Sequence, residues 1–473
     1  MTTQSTPTPR RRVALVQYPR SQDDVVKALR RAFEAHPEWS MQTTTTSDDQ
    51  IDLQWSDYDQ IDWALVEGAQ GKTRLVNSYV IRKGSVLIRK NHLSHTIALY
   101  LSKNPTSPLA RAAPQTFYFT LSFADELDEL LVDELYDVQH SFDTADPDKP
   151  SWWILKAALA DKGVGIRLFS DRAQLEQIFQ EFEPVSSDDE EEEEDYDEAF
   201  VTKAYGTGTR VDSSQLREWV VQRYVSNPLL FSPSNNPSSP SYKFHLRVYV
   251  VASGALTVHV HHPFLALFAP TPYSTPESSD KVDLSAHLTN TCLQTTIMGS
   301  QALPESVNTL QKMQGYTILG GALEGQKLTR EQITKIEDSV GEVVAELFKA
   351  AVGAGTSFQA LPNAFEIFGL DFLVDDELRV SLLEVNACPD FGQTGPKLQS
   401  VIDHLFASTL DELVIPYFTR QEHDLPTSVE PRDAYASAEP QTPSKALQGL
   451  ILEETTQPGL RKVLAMEISK AWS

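Results

Sequence analysis

Apolar and polar positions alternate most clearly between Phe368 and Asn386. Side chains on a strand point in turn to its two faces. Phe368, Leu370, Phe372 and Val374 share one face of a first strand, and Gly369 and Asp371 share the other. After an Asp-Asp-Glu-Leu turn, Leu383 and Val385 share a face, with Glu384 and Asn386 opposite. The pattern predicts a β-hairpin in which residue 371 pairs with 382 or 384, depending on turn length. Elsewhere the pattern predicts strands at Val13–Gln17, Trp63–Val66, Trp152–Ala157, Ile166–Phe169, Glu218–Val225, Phe244–Val251 and Leu256–His261. Helical spacing marks Asp23–Ala35, Asp125–Tyr136, Asp171–Phe182, Arg330–Ala351 and a terminal segment near Gly459–Lys470.

These elements divide the 473 residues into a flexible segment at 1–11 and an α/β domain at 12–150. A central lobe follows at 151–225 and a Pro- and Ser-rich connector at 226–241. A C-terminal lobe spans 242–419 and a tail 420–473. The apolar fraction of 41% supports a real core. Two cysteines argue for a reducing compartment, here the cytoplasm. No apolar run approaches the ~20 residues that span a bilayer.

Net charge is −26, which argues against general nucleic-acid binding. Part of it is local, because the loop 184–198 contains an acidic run, Asp188–Glu198, interrupted only by Tyr196. Such a run repels itself and predicts disorder.

Chemistry concentrates on the hairpin. Either register gathers Asp371, Glu384 and Asn386 on one surface. Two carboxylates and an amide oxygen suit a hard cation such as Mg²⁺. The alternative is an amphipathic hairpin with its acids in water. Acids and amides are depleted from strand interiors, which favours the metal. Magnesium also takes phosphate oxygens, so the hairpin suggests nucleotide chemistry.

Other candidates are weaker alone. Lys162-Gly163-Val164-Gly165 offers backbone N–H groups and a cation to a phosphate, or is a plain tight turn. Lys156 ends an apolar strand as a phosphate clamp, or snorkels to water. The strand end Gln222-Arg223-Tyr224-Val225 offers backbone groups to an adenine ring. Lys243, His245 and Arg247 line one strand face, suited to phosphates or an anionic substrate. Thr289 and Asn290, in His287–Asn290, carry polar groups able to orient a substrate.

In order, these stretches resemble the tubulin–tyrosine ligase-like family of ATP-grasp carboxylate–amine ligases. Leu383–Pro389, Leu-Glu-Val-Asn-Ala-Cys-Pro, is the most specific match. The resemblance implies an α/β (α+β) fold of three lobes, with ATP between two mainly antiparallel sheets. It implies nucleotide contacts from Lys156, Lys162, Gly163, Gly165, Gln222, Arg223, Tyr224 and Val225. Lys243 and Arg247 would bind phosphate or the substrate carboxylate and, with Glu384 and Asn386, serve catalysis. Asp371, Glu384 and Asn386 would hold Mg²⁺, usually two ions in this class. The implied reaction activates a protein carboxylate, α-tubulin first among candidates, as an acyl phosphate and joins an amino acid to it. Two positions depart from the family. His245 stands where an aspartate is usual, and Gly254–Thr257 lacks an expected arginine. A nucleotide-binding scaffold on the same fold, or a ligase with a different substrate, is the alternative.

Overall fold

The computed structural model describes residues 10–44, 50–67, 74–78, 87–121, 123–146, 148–158, 165–182, 217–277, 282–289, 306–354, 358, 360–387, 389, 391, 398–423 and 459–467. Three sheets organise them.

The first is parallel. Strands β1 (Arg12–Leu15), β2 (Trp39–Gln42), β3 (Leu53–Gln54) and β4 (Leu75–Val76) lie in the order β2-β1-β3-β4. Helix Asp23–Glu34 crosses from β1 to β2, burying Val25, Leu29 and Phe33, with Asp23 and Asp24 in its first turn. That placement of acids complements the helix dipole. The expected strand at Trp63–Val66 is instead a short helix, Trp63–Glu67. The Asp62 carboxylate accepts from the Ala64 and Leu65 amides at 3.0 and 3.4 Å. A capped first turn outweighs a four-residue apolar run that never alternates.

The second sheet is antiparallel. It contains β5 (Thr116–Thr120), β6 (Trp153–Ala157), β7 (Arg167–Phe169) and β8 (Glu218–Arg223), in the order β5-β8-β6-β7. No strand was expected at Thr116–Thr120, which fell within the 12–150 domain; it forms β5 and pairs antiparallel with β8. The Asp125–Tyr136 stretch is two helices, Leu127–Val132 and Tyr136–Asp143, because the backbone leaves helical geometry at Asp133. Leu127, Leu130, Leu131 and Leu135 still face the core, alongside Phe169 and Trp219.

The third sheet has eight strands around β10 (Tyr242–Ser253). Along one edge β10 pairs with β12 (Leu265–Phe268) and then β11 (Thr257–His262). Along the other it pairs with β14 (Phe365–Val374), which pairs with β15 (Val380–Ala387). Short strands β9 (Leu230–Phe231) and β13 (Val307–Thr309) complete that end. Helix Arg330–Gly353 covers one face and begins with a capping box between Thr329 and Gln332. Helix Gln399–Thr409 and the parallel sheet cover the other. There the Trp55 ring meets Phe365 and Phe406 edge-on, with centroids 5.0 and 5.8 Å apart.

The tail holds a strand, not the expected terminal helix. β16 (Gly459–Ala465) pairs antiparallel with β11. Leu460, Val463 and Leu464 fit helical spacing, but an open sheet edge supplies backbone partners that a short isolated helix lacks. Among the described residues no helix is long and apolar enough to cross a membrane.

Candidate functional site

The polar face of β10, β14 and β15 opens toward β6 and β8. Arg247 lies directly across from Asp371, Asp371 across from Glu384, and Gly369 across from Asn386. A bulge makes this possible. Asp371 pairs with Glu384 but Phe372 pairs with Leu382, leaving Leu383 as the extra residue. Leu382 and Val385 are buried in the core, and Leu383, expected there, is half-exposed beside Lys156 and Lys90. Strict alternation from Leu382 would have turned Glu384 into the core.

The three expected metal-binding side chains meet. Asn386 Nδ2 lies 3.5 Å from Asp371 Oδ2 and 3.3 Å from Glu384 Oε1. Amide oxygen and nitrogen differ only by assignment, so a flip presents Oδ1 to the same point. Arg247 grips Asp371 from behind, with Nε donating to Oδ1 at 2.5 Å and Nη2 to Oδ2 at 3.0 Å. Burial alone pushes the Asp371 carboxyl up, but the Arg247 guanidinium and His245 hold it well below the usual range. A Cβ at Gly369 would meet Pro389 Cβ at 2.8 Å and Arg247 Cδ at 3.2 Å. Only glycine leaves room there for the arginine. The donor set is all oxygen, carries two carboxylates and converges, so these residues fit a hard divalent cation.

Across the cleft, Lys156 Nζ donates to Gln222 Oε1 at 2.7 Å, and Gln222 Nε2 donates to Thr116 Oγ1 at 3.1 Å. Lys243 Nζ donates to the Tyr224 hydroxyl at 3.0 Å. Both lysines are buried, and among the described residues neither has a carboxylate within ion-pair distance. Burial lowers Lys156 to about 8, with Lys90 adding repulsion against the pull of Glu384 and Asp371. Burial and Lys156 lower Lys243 to about 7. Lys156 feels both carboxylates, and Lys243 feels Lys156.

A strap at 282–289 ties the sheets together. Leu284 and Leu288 pack beside Trp152, Ile154 and Leu168. His287 Nδ1 lies 2.9 Å from the Tyr224 hydroxyl, and Thr289 Oγ1 lies 2.5 Å from His245 Nδ1. Burial, then Lys243, lowers His287 to about 4.

Not every expected residue arrives. The Arg223 side chain leaves the cleft for the opposite face of β8, stacking 5.2 Å from the Trp153 ring and donating to Ser151 at 2.9 Å. Successive strand residues face opposite ways, so Gln222 and Arg223 cannot both enter. Val225 is half-buried just past the strand. Gly165 sits at φ +74°, where its missing Cβ matters. Lys162, Gly163, Asn290 and the acidic loop lie outside the described residues. Lys90 was not among the expected site residues, yet its Nζ is 3.9 Å from Glu384 Oε2. No spacing in the sequence signals that contact, since 294 residues separate the pair by their numbers.

The model of the tubulin-tyrosine ligase family matches residues 83–423. A probable tubulin–tyrosine ligase of Saccharomyces cerevisiae is 36% identical over 384 residues. That match covers 80% of this chain and 47% of the relative, so the chain spans about half that protein's length. A probable tubulin–tyrosine ligase of Schizosaccharomyces pombe is 37% identical over 382 residues, covering 80% of this chain and 86% of the relative. Among solved structures, the C-terminal domain of Pby1 from K. lactis is 29% identical with a TM-score of 0.61, covering 96% of this chain and all of that one. It is described as an ATP-grasp enzyme interacting with the mRNA decapping enzyme Dcp2. With its paired antiparallel sheets and its match over most of the length, this chain has the ATP-grasp fold of a ligase-type enzyme and belongs to the tubulin-tyrosine ligase family.

Proposed function

We propose that the protein is an ATP- and Mg²⁺-dependent carboxylate–amine ligase that adds an amino acid to a protein carboxylate. One observation carries this reading. Two buried lysines without carboxylate partners among the described residues face two carboxylates across a single cleft. A buried lysine is costly without a counter-charge, so the cleft is built for an anion. The adjacent acids supply the other half, a seat for the cation that accompanies phosphates.

In this reading Lys156 and Lys243 bind phosphate oxygens. Backbone groups near Gln222–Val225 border the base. Asp371, Glu384 and Asn386 would hold Mg²⁺, which when bound neutralises charge on the phosphates. Arg247 fixes Asp371 and offers its remaining N–H to an anionic substrate. An acceptor carboxylate oxygen attacks the γ-phosphorus and ADP departs, leaving an acyl phosphate. The nitrogen of an amino acid then attacks the acyl carbon, phosphate leaves, and the amine gives its proton to solvent. The two sheets and the strap exclude water that would hydrolyse the acyl phosphate.

The names of the relatives make tubulin the first acceptor to test. Its tail is acidic, so basic residues near the cleft, Lys90 among them, would have to meet it against a net charge of −26. A second reading is favoured by His245. An imidazole in place of an acid beside Asp371 suits a protein that binds nucleotide without transfer. Incubation with labelled tyrosine, glutamate or glycine, ATP-Mg²⁺ and tubulin or cell extract separates the two. A labelled protein, with labelling reduced about 100-fold or more in Glu384→Gln, supports the ligase. Nucleotide binding with no labelled acceptor favours the scaffold, and undiminished labelling in Glu384→Gln removes the metal role.

A further inference from the structure

Resting on the nucleotide reading above, we propose that Thr116 is a positioning residue: its hydroxyl sets which way the Gln222 side-chain amide faces, and that amide holds the Lys156 ammonium in place for the ligand.

Strand register brings the three side chains together. Thr116 on β5 lies directly across from Gln222 on β8, and Ile154 on β6 lies across from Gln222 on the other side. Directly paired residues share a face of the sheet. Lys156 comes two residues after Ile154, so it shares that face and reaches Gln222 diagonally. Lys156 and Gln222 are 7% and 8% exposed. At that burial each polar atom needs a partner within the protein or a ligand.

The hydrogen bonds that supply those partners run in one direction. They start at the Pro114 carbonyl, which can only accept. Thr116 Oγ1 donates its single proton there at 2.7 Å. The hydroxyl then has only lone pairs to offer, and it accepts from Gln222 Nε2 at 3.1 Å. With Nε2 committed, Gln222 Oε1 faces Lys156 and accepts from Nζ at 2.7 Å. The reversed amide would set two donors, Nε2 and Nζ, against each other and would draw the hydroxyl away from Pro114. An amide's orientation is decided by its network. Here a backbone carbonyl three links away decides it.

The consequence falls on the lysine. Lysine is a point charge on a flexible four-carbon stem. Gln222 fixes one of its three N–H bonds and leaves two for an anion. Part of the ordering that binding demands is therefore complete before the ligand arrives. Thr116 is itself tied down, because Ser94 Oγ, on helix Lys90–Lys103, donates to its backbone carbonyl at 3.1 Å. A cavity of about 30 Å³ lies among Ser94, Ile97, Thr116 and Lys156. That is room for a water. A shortened residue 116 would let water replace the hydroxyl, whereas valine keeps the volume and offers no acceptor.

The test measures binding of a non-hydrolysable ATP analogue, with Mg²⁺, to the full-length protein by calorimetry. Thr116→Val should weaken binding about five- to tenfold. Thr116→Ser, which keeps the hydroxyl, should stay within about twofold of wild type. Gln222→Leu has no amide to orient, so adding Thr116→Val to it should weaken binding no further. Thermal melting checks that each variant is folded. If the valine variant is not, Thr116→Cys takes its place, since a thiol hydrogen-bonds only weakly, and it should weaken binding in the same direction. Wild-type affinity in folded Thr116→Val, no rescue by serine, or full additivity with Gln222→Leu would each overturn the inference and leave the nucleotide reading standing. Failure of the analogue to bind wild type would overturn the nucleotide reading, and this inference with it.

Discussion

The central sheet buries polar groups at both ends, and the two ends handle charge in opposite ways. At the cleft, Asp371 and Arg247 are both fully charged within a hydrogen-bonded pair, and Asp371 titrates well below its ordinary range. At the far end, under β11, His261 Nε2 lies 3.1 Å from His404 Nδ1, and Ser408 Oγ is 3.3 Å from the same nitrogen. There burial wins. It pushes His261 well below its usual value and lowers His404 and His259 to about 4. Burial is similar at the two ends, but the partners differ. A guanidinium offers a full opposite charge and two aligned donors, whereas an imidazole offers one neutral hydrogen bond. The Asp371–Arg247 pair keeps its charge because each group has an opposite charge in contact, and the histidines under β11, which have none among the described residues, shed theirs.

The largest test of that contrast is Asp371→Ala. It strands the Arg247 guanidinium in a buried site, and removing one partner of such a pair costs about 3–5 kcal/mol. Urea unfolding measures this. A loss below about 1 kcal/mol would mean that water already compensates the arginine, and the contrast would collapse.

Acid titration tests the other end. These three histidines, and His287 on the strap, have folded values below the ordinary ~6.5 of histidine. The unfolded chain therefore takes up protons first as pH falls, and stability drops between about pH 6.5 and 4. The slope is up to about 1.4 kcal/mol per pH unit for each histidine. Asp371 stays ionised in the folded protein throughout that window, so its contribution is not lost there. Urea midpoints that stay flat from pH 6.5 to 4.5 would show that the far end is not neutral by burial.

Gly369→Ala probes the cleft at smaller cost. The new Cβ collides with Pro389 and presses on Arg247. Overpacking of this kind costs about 1–3 kcal/mol. Because the arginine is displaced, the effect should extend to any activity supported by Asp371. The readout is urea stability together with labelled-amino-acid transfer, and an alanine tolerated in both would show that Arg247 has slack.

These two ends were not equally legible in the sequence. Alternation along Phe368–Val374 is unbroken, so one face of β14 could be read directly. The bulge at Leu383 could not, because it is a decision of the pairing and not of the residues on one strand. The one error in the expectation there did no harm: Leu383 was placed inward, yet Glu384 and Asn386 still emerged on the polar face. Lys90, the strap to His245 and the Lys243–Tyr224–His287 contacts are long-range, and local spacing does not encode them. The far end was invisible for a related reason. His261 and His404 come from a strand and a helix 143 residues apart. The tail misled because three apolar residues fit either period, and the deciding partner was the edge of β11.

That tail yields the smallest prediction. β16 closes the histidine end by adding backbone hydrogen bonds along β11, and Leu464 joins the core beneath it. Val463 packs against helix Arg330–Gly353 where Gly341 lacks a side chain, and a Cβ there would lie 3.3 Å from Val463 Cγ1. Arg461 adds a 2.6 Å ion pair to Asp338, with both side chains about half exposed. If backbone pairing and apolar contact hold the strand, Arg461→Ala should cost under about 1 kcal/mol, as exposed pairs usually do. Amide exchange at Gly459–Ala465 should then stay protected in the variant. Full loss of protection would mean that the strand is held by its charge, and that the closed end of the sheet depends on surface electrostatics as much as the open end depends on buried ones.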